Sequence, residues 1–333
     1  MSHAVTKPGP RNDITDVPGI SVGQAEDLDA KTGVSVVMPD RPAICASDVR
    51  GGGPGTRETD LLDPSTLVDT VNAVVLSGGS SYGLGAADGV AGWLGARGRG
   101  FQLIPSPGTP PSPIVPAAIL YDLANGGNKD WGATPPYARL GNAACEAVGA
   151  PLKLGKAGAG IGARAGATVG GTGSASTAIN DGITIGALMA VNSFGSTKMP
   201  GSDAFWAWPF EQDHEFGGAR PPADWSPAAD LPDDTKLGTV ARTNTTIGVV
   251  AINAALTPSQ ARRIAIMAQD GMARAIRPIH GPTDGDVLFV LATDGPPCQD
   301  PVTLTRLGLL AADCVARAIA RGVYEAERQS PAS

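Results

Sequence analysis

The sharpest pattern in this chain lies between residues 245 and 293. The run Ile247-Gly248-Val249-Val250-Ala251-Ile252 has the length and β-branched content of a buried strand. Leu256-Thr257-Pro258-Ser259-Gln260 then carries three helix-start signals. Thr257 can cap the first turn, Pro258 suits the first helical position, and Gln260 can close a capping box. The periodicity predicts a helix to about Arg277, with Ile264, Ala265, Ala268, Met272 and Ile276 along one stripe and Pro278 ending it. The turn TDGD follows, and residues 287–293 (VLFVLAT) read as a second strand. This places the chain in the α/β class.

The remainder is punctuated by 45 glycines and 29 prolines, which imply tight turns and close backbone approaches rather than long helices. Residues 19–49 alternate short β-rich runs with Gly, Pro and Asp breaks, as in meandering strands. Residues 71–79 read as a buried strand, and SYGLGAADGVAGWLGARG as a small-residue helix packed closely. A Pro-rich excursion over 105–116 leads into the strand-like AAILYDL. Residues 155–174 suggest backbone threading past backbone, 183–192 a strand, 198–238 a long surface loop and 302–327 a final amphipathic helix.

With 333 residues, 42% of them hydrophobic, the chain can fill a large core as one domain over 1–333. A net charge of -7 argues against nucleic acid or an anionic membrane as partner. The N-terminus lacks an apolar signal region, and no uncharged apolar run reaches about 18 residues. Cys45, Cys145, Cys298 and Cys314 show no CxxC spacing. Buried free thiols in a reducing cytoplasm are the expectation.

Gly79-Ser80-Ser81-Tyr82-Gly83 fits the G-x-S-x-G of an α/β-hydrolase nucleophile elbow, with Ser81 as nucleophile. That reading needs an acid and then a histidine downstream. His214 falls in the long loop, and His280 precedes the best acids, so a glycine-eased helix start is favoured. Gly158-Ala159-Gly160-Ile161-Gly162 misses the dinucleotide spacing. Asp213-His214-Glu215 offers metal-ligand residue types, but consecutive positions cannot all face one ion on a regular element, and a solvated loop is expected. Asp284-Gly285-Asp286 puts two carboxylates beside a strand entrance. They serve either as a bend or as a pair held by a cation or hydroxyl donors, and spacing alone does not choose.

Asn244-Thr245 opens the strand at 245. A threonine there becomes a nucleophile if its own α-amine is released to act as base. Such an amine titrates near roughly 7.7–8.0, close to the optimum for general-base work at neutral pH. From this dipeptide alone, a polar loop entering a strand is the simpler reading.

Six segments in order change that weighing: GGGPGTRETDLLDP (51–64), VNAVVLSGGSSYGL (71–84), PIVPAAILYDL (113–123), GKAGAGIGA (155–163), RTNTTIGVVAIN (242–253) and PTDGDVLFVLATD (282–294). Together they resemble the self-processing amidohydrolases of peptidase family S58. These include β-aminopeptidases, L-aminopeptidase/D-esterases and nylon-oligomer hydrolases, and the last branch is nearest. The resemblance spans roughly residues 15–325. It implies a four-layer αββα sandwich of the N-terminal-nucleophile-hydrolase type, a homotetramer, and no cofactor or metal. It further implies one self-cleavage between Asn244 and Thr245, giving chains 1–244 and 245–333, with Thr245 as nucleophile. Asp284 and Asp286 match the supporting carboxylates, and Tyr121 and Asn192 the oxyanion side. The lysine that the family carries after the GAG segment is replaced here by Ala167, with Arg164 and Lys156 as nearby cations. The expected reaction is hydrolysis of small linear amides, 6-aminohexanoate oligomers first and peptides with an N-terminal β-amino acid next. A self-processing acyltransferase, a Ser81 esterase and a catalytically silent binding or scaffold protein are the competing classes.

Overall fold

The computed structural model describes residues 6–227, 230–231, 233–236 and 244–330. Two β-sheets face one another. The larger runs, edge to edge, Thr6–Lys7, Gly171–Ile179, Thr184–Asn192, Thr245–Ile252, Val287–Ala292, Ala43–Val49, Thr70–Val71. The smaller runs Ile20–Asp27, Thr32–Pro39, Val74–Ser77, Ala117–Ile119, Thr56–Arg57. Helices α1 (Ala86–Gly95) and α2 (Tyr137–Glu146) cover the smaller sheet, while α3 (Pro258–Ala275) and α4 (Pro301–Arg328) cover the larger.

The layering follows from alternation along the strands. Ile247, Val249 and Ala251 join Phe289 and Leu291 in a core between the sheets, with Val22, Val37, Val74 and Leu76 opposite. Val250, Ile252, Leu288 and Val290 point the other way, into a core shared with Ile264, Ala268 and Met272 of α3 and Val315 and Ile319 of α4. Strands apolar on both faces occur where both faces are covered. The result is the expected αββα sandwich.

The capping box at Thr257 and Gln260 forms as read from the sequence, with Gln260 N–H donating to Thr257 Oγ1 at 3.2 Å and Thr257 N–H to Gln260 Oε1 at 2.9 Å. The helix ends at Ala275, two residues before the expected limit. Glycine-rich backbone does thread past backbone: a Cβ on Gly33 would lie 2.3 Å from the Gly158 carbonyl oxygen.

Two expectations need correction, and two elements were not foreseen. Residues 19–49 are not one meander, because Ile20–Asp27 and Thr32–Pro39 form a hairpin while Ala43–Val49 crosses to the other sheet. The 198–238 segment is not simply surface loop. Phe205, Ala207 and Phe216 sit in the helix-side core. The strand Gly171–Ile179 and helix α2 carry too much Gly, Ala, Ser and Asn for hydrophobic periodicity to reveal them.

Candidate active site

The topology of the larger sheet gathers the candidate residues at one end. Thr245–Ile252 and Val287–Ala292 are its one parallel pair among the described residues, so both strands start at the same edge. Asn244 bridges to Asp284 in that parallel register. The neighbouring strand on the other side is antiparallel and ends at Asn192, directly opposite Thr245. Thr245 shares the inter-sheet face of Ile247 and Val249, as Asn192 shares that of Leu188 and Ala190. Thr246 points towards the helix layer, where its Oγ1 is buried with no hydrogen-bond partner among the described residues.

Around Thr245 the contacts are short and buried. Its Oγ1 donates to the Asn244 carbonyl oxygen. The same oxygen accepts the Gly285 N–H at 3.0 Å. Thr246 N–H donates to Asp286 Oδ1 at 2.7 Å. Asp286 Oδ2 in turn accepts the His280 N–H at 3.2 Å and lies 2.9 Å from its Nδ1. Asp284 Oδ2 accepts the Gly281 N–H at 2.7 Å. Only glycine fits between the two aspartates, since a Cβ on Gly285 would stand 2.8 Å from Thr245 Oγ1 and 2.9 Å from the Gly53 carbonyl oxygen.

Two carboxylates enclosed this closely cannot both ionise freely. Burial pushes the Asp284 carboxyl up to about 6, and the charge of Asp286 adds to the rise. The Gly281 N–H and the Lys236 ammonium oppose it.

Asn192 is fixed from both ends of its amide. Its Oδ1 accepts the Arg164 N–H at 2.9 Å and lies 3.2 Å from Lys236 Nζ, while its Nδ2 donates to the Tyr121 carbonyl oxygen at 3.0 Å. Tyr121 thus touches Asn192 through its backbone, at the end of the smaller sheet, and its side chain is half-buried.

Lys236 is the site residue that sequence reasoning missed. It is 7% exposed, and its Nζ donates to the Asn192 carbonyl oxygen at 2.9 Å. Burial pushes its ammonium down to about 7, with Asp284 opposing and Arg164 adding to the fall. No periodicity marks it, because it stands in the irregular segment before residue 237. That segment is tied to the very place where the resemblance put a lysine: Ala167 N–H donates to the Asp234 carbonyl at 2.8 Å. Ala167 and Lys156 are exposed, and the Arg164 guanidinium bonds the Ala167 carbonyl at 3.3 Å.

The other candidates disperse. Ser81 is exposed, and neither His214 nor His280 contacts it; the left-handed positions are Gly79 and Ser80. Glu215 is not in a solvated loop. It is buried in an ion pair with Arg317 of α4, Nη2 to Oε2 at 3.0 Å. Arg242, Thr243 and His3 lie outside the described residues. The four cysteines are free and buried. No helix among the described residues is long and apolar enough to cross a membrane.

A buried threonine, two enclosed carboxylates and a fixed carboxamide thus meet at one end of a four-layer sandwich. The chain belongs to peptidase family S58, whose profile matches residues 12–332. It is 44% identical to an uncharacterised aminopeptidase of Mycobacterium tuberculosis (strain H37Rv), over 95% of this chain and 94% of that protein. It is 32% identical to a 6-aminohexanoate-oligomer endohydrolase of Kocuria sp., over 84% of this chain and 74% of that one. Among solved structures, a Burkholderia β-aminopeptidase superposes with a TM-score of 0.67 at 22% identity, covering 96% and 88% of the two chains. The L-aminopeptidase D-Ala-esterase/amidase of Ochrobactrum anthropi, described as a variant of the Ntn hydrolase fold, gives 0.65 at 22%, covering 95% and 86%. The protein is an amide hydrolase of this family.

Proposed function

We propose that the chain cuts itself once, between Asn244 and Thr245, and that the released Thr245 is the nucleophile of an amidohydrolase formed jointly by 1–244 and 245–333. The observation that carries this reading is the contact of Thr245 Oγ1 with the Asn244 carbonyl oxygen, which the Gly285 N–H also holds at 3.0 Å. The hydroxyl and the bond to be cut are already together, and the amide donor faces the oxygen on which charge would develop.

In maturation, Thr245 Oγ1 attacks the Asn244 carbonyl carbon and the amide nitrogen leaves as the α-amine, giving an ester that water cleaves. In turnover, that amine takes the hydroxyl proton, and Oγ1 attacks a substrate amide. The acyl-enzyme is then released by water. Base and nucleophile belong to one residue, so little orientation entropy remains to be lost. Asp286, bonded to Thr246 N–H, and Asp284, bridged to Asn244, hold the strand entrance and orient the amine and hydroxyl. Asn192 and Tyr121 serve the oxyanion, a good donor of this kind being worth roughly 3–4 kcal/mol.

The substrates are small linear ω-amino-acid amides, with 6-aminohexanoate oligomers favoured by the Kocuria relative. Short-peptide aminopeptidase activity is the second reading, favoured by the 44%-identical relative. Residence in the cytoplasm and assembly as a homotetramer complete the proposal. Intact mass of the purified protein tests it: two fragments ending at Asn244 and beginning at Thr245 are expected, and Thr245→Ala should stay uncut and inactive. An uncut wild-type chain that still hydrolyses amides, or loss of activity in Ser81→Ala, sinks it.

A further inference from the structure

We propose that Lys236 is the charge-setting residue of this site: its ammonium, seated on the Asn192 carbonyl opposite Thr245, lowers the proton affinity of the amine that Thr245 gains on cleavage. The inference rests on the reading of Thr245 as the new chain end.

The geometry supplies the coupling. Asn192 and Thr245 are direct cross-strand partners, and Lys236 Nζ stands 2.9 Å from the Asn192 carbonyl oxygen and 3.2 Å from its Oδ1. Opposed residues of an antiparallel pair have Cα atoms about 4.5–5.5 Å apart, so the lysine nitrogen and the Thr245 amine are close neighbours. Both are enclosed: Lys236 is 7% exposed and Thr245 4%. Two cations so placed, away from water, repel strongly; the amine is buried as deeply as Lys236, which lowers its proton affinity as well, and the pair releases its first proton at a lower pH than either amine alone. An amine already neutral near pH 7 is what a general base needs.

Other charges face the same space. Asp284 attracts Lys236 and Arg164 repels it, while Asp286 lies beside Thr246 N–H with His280 behind it. Asp284 holds the Lys236 proton on, so without Lys236 the Thr245 amine would face the two aspartates alone.

Lys236 also stays in place after cleavage. Its own N–H donates to the Phe194 carbonyl at 3.1 Å, and the Asp234 carbonyl accepts from Ala167 N–H at 2.8 Å. These anchors lie upstream of residue 237, so cutting after Asn244 leaves them intact. The lysine is therefore a contribution of the first chain to the nucleophile of the second.

Lys236→Met removes the charge while keeping length and burial; Lys236→Gln does so with a polar end. The measurements are the pH profile of kcat/KM on a 6-aminohexanoate oligomer or amino-acid amide, and competitive acylation of the Thr245 α-amine against pH. The second reports the amine directly, without turnover. In the neutral variants both the acidic limb and the amine titration should move up by about one pH unit or more. At about pH 7 kcat should fall about tenfold or more with KM changed less. Lys236→Arg, which keeps the charge, should leave the amine titration near the wild-type position. Unchanged titration in a cut, folded Lys236→Met or Lys236→Gln protein overturns the inference, as does a folded variant that no longer cuts itself, since the lysine would then act before the amine exists. The wild-type control separates the two readings. A wild-type chain not cut before Thr245 defeats the proposed function, whereas a cut chain with an unmoved titration defeats this inference alone.

Discussion

Replacing Asp284 by asparagine should make the fold more stable at neutral pH while destroying the site. The carboxyl is 1% exposed, and its proton is held to about 6 instead of the ordinary 3.8, first by burial and then by Asp286. Between those two values the folded chain binds more protons than the unfolded one, so stability from this group is complete below 3.8 and is lost as pH rises through about 6. At 1.36 kcal/mol per pH unit, the ionised form costs about 3 kcal/mol at neutrality. Asparagine carries no such cost and can still accept the Gly281 N–H. Lys236 offsets part of the gain, because it loses an attracting partner. A net gain of about 1–2 kcal/mol at about pH 7.5, vanishing near about pH 4, is expected. The comparison belongs in the Thr245→Ala background, where both proteins are uncut, and is read by urea unfolding followed through tryptophan fluorescence across that range. Groups unchanged between the two proteins cancel. Equal stability at about pH 7.5, or a less stable asparagine variant, would refute the account of Asp284 as a carboxylate held at a cost.

Two further substitutions probe the frame of the site. Gly285→Ala forces a methyl to within 2.8 Å of Thr245 Oγ1 and 2.9 Å of the Gly53 carbonyl. Self-cleavage should slow at least about tenfold and stability fall by about 1–3 kcal/mol, seen by timed denaturing gels and urea titration. Glu215→Ala leaves the Arg317 guanidinium buried without its carboxylate, although Asn12 Oδ1 and the Ser176 carbonyl still accept from it. A loss of about 3–5 kcal/mol is expected in the same titration, and a loss below about 1 kcal/mol would mean that water or a neighbour replaces the acid.

What the sequence determined by itself was local. The capping box of α3 needs only Thr257, Pro258 and Gln260 in order, and all its hydrogen bonds lie within one turn. The buried strands at 247 and 287 follow from β-branched runs too apolar for any exposed face. The order of six segments carried the family, and with it the candidates Thr245, Asp284, Asp286 and Asn192. Strand Gly171–Ile179 was illegible because its residues are small: close packing against the Ala- and Gly-rich face of α4 selects them, and that leaves no hydrophobic period to read. Glu215 looked like solvated loop because its partner is Arg317, 102 residues away. Only the tertiary structure could decide where the site's cation comes from. A lysine in an irregular segment carries no pattern, and its proton affinity is a property of what encloses it. The larger sheet's parallel start brings Asn244 to Asp284, the antiparallel neighbour brings Asn192 to Thr245, and the segment from 233 to 236 sets the Lys236 ammonium on Asn192. Burial at that place, which no local run of residues encodes, pushes the Lys236 ammonium from the ordinary lysine range down to about 7.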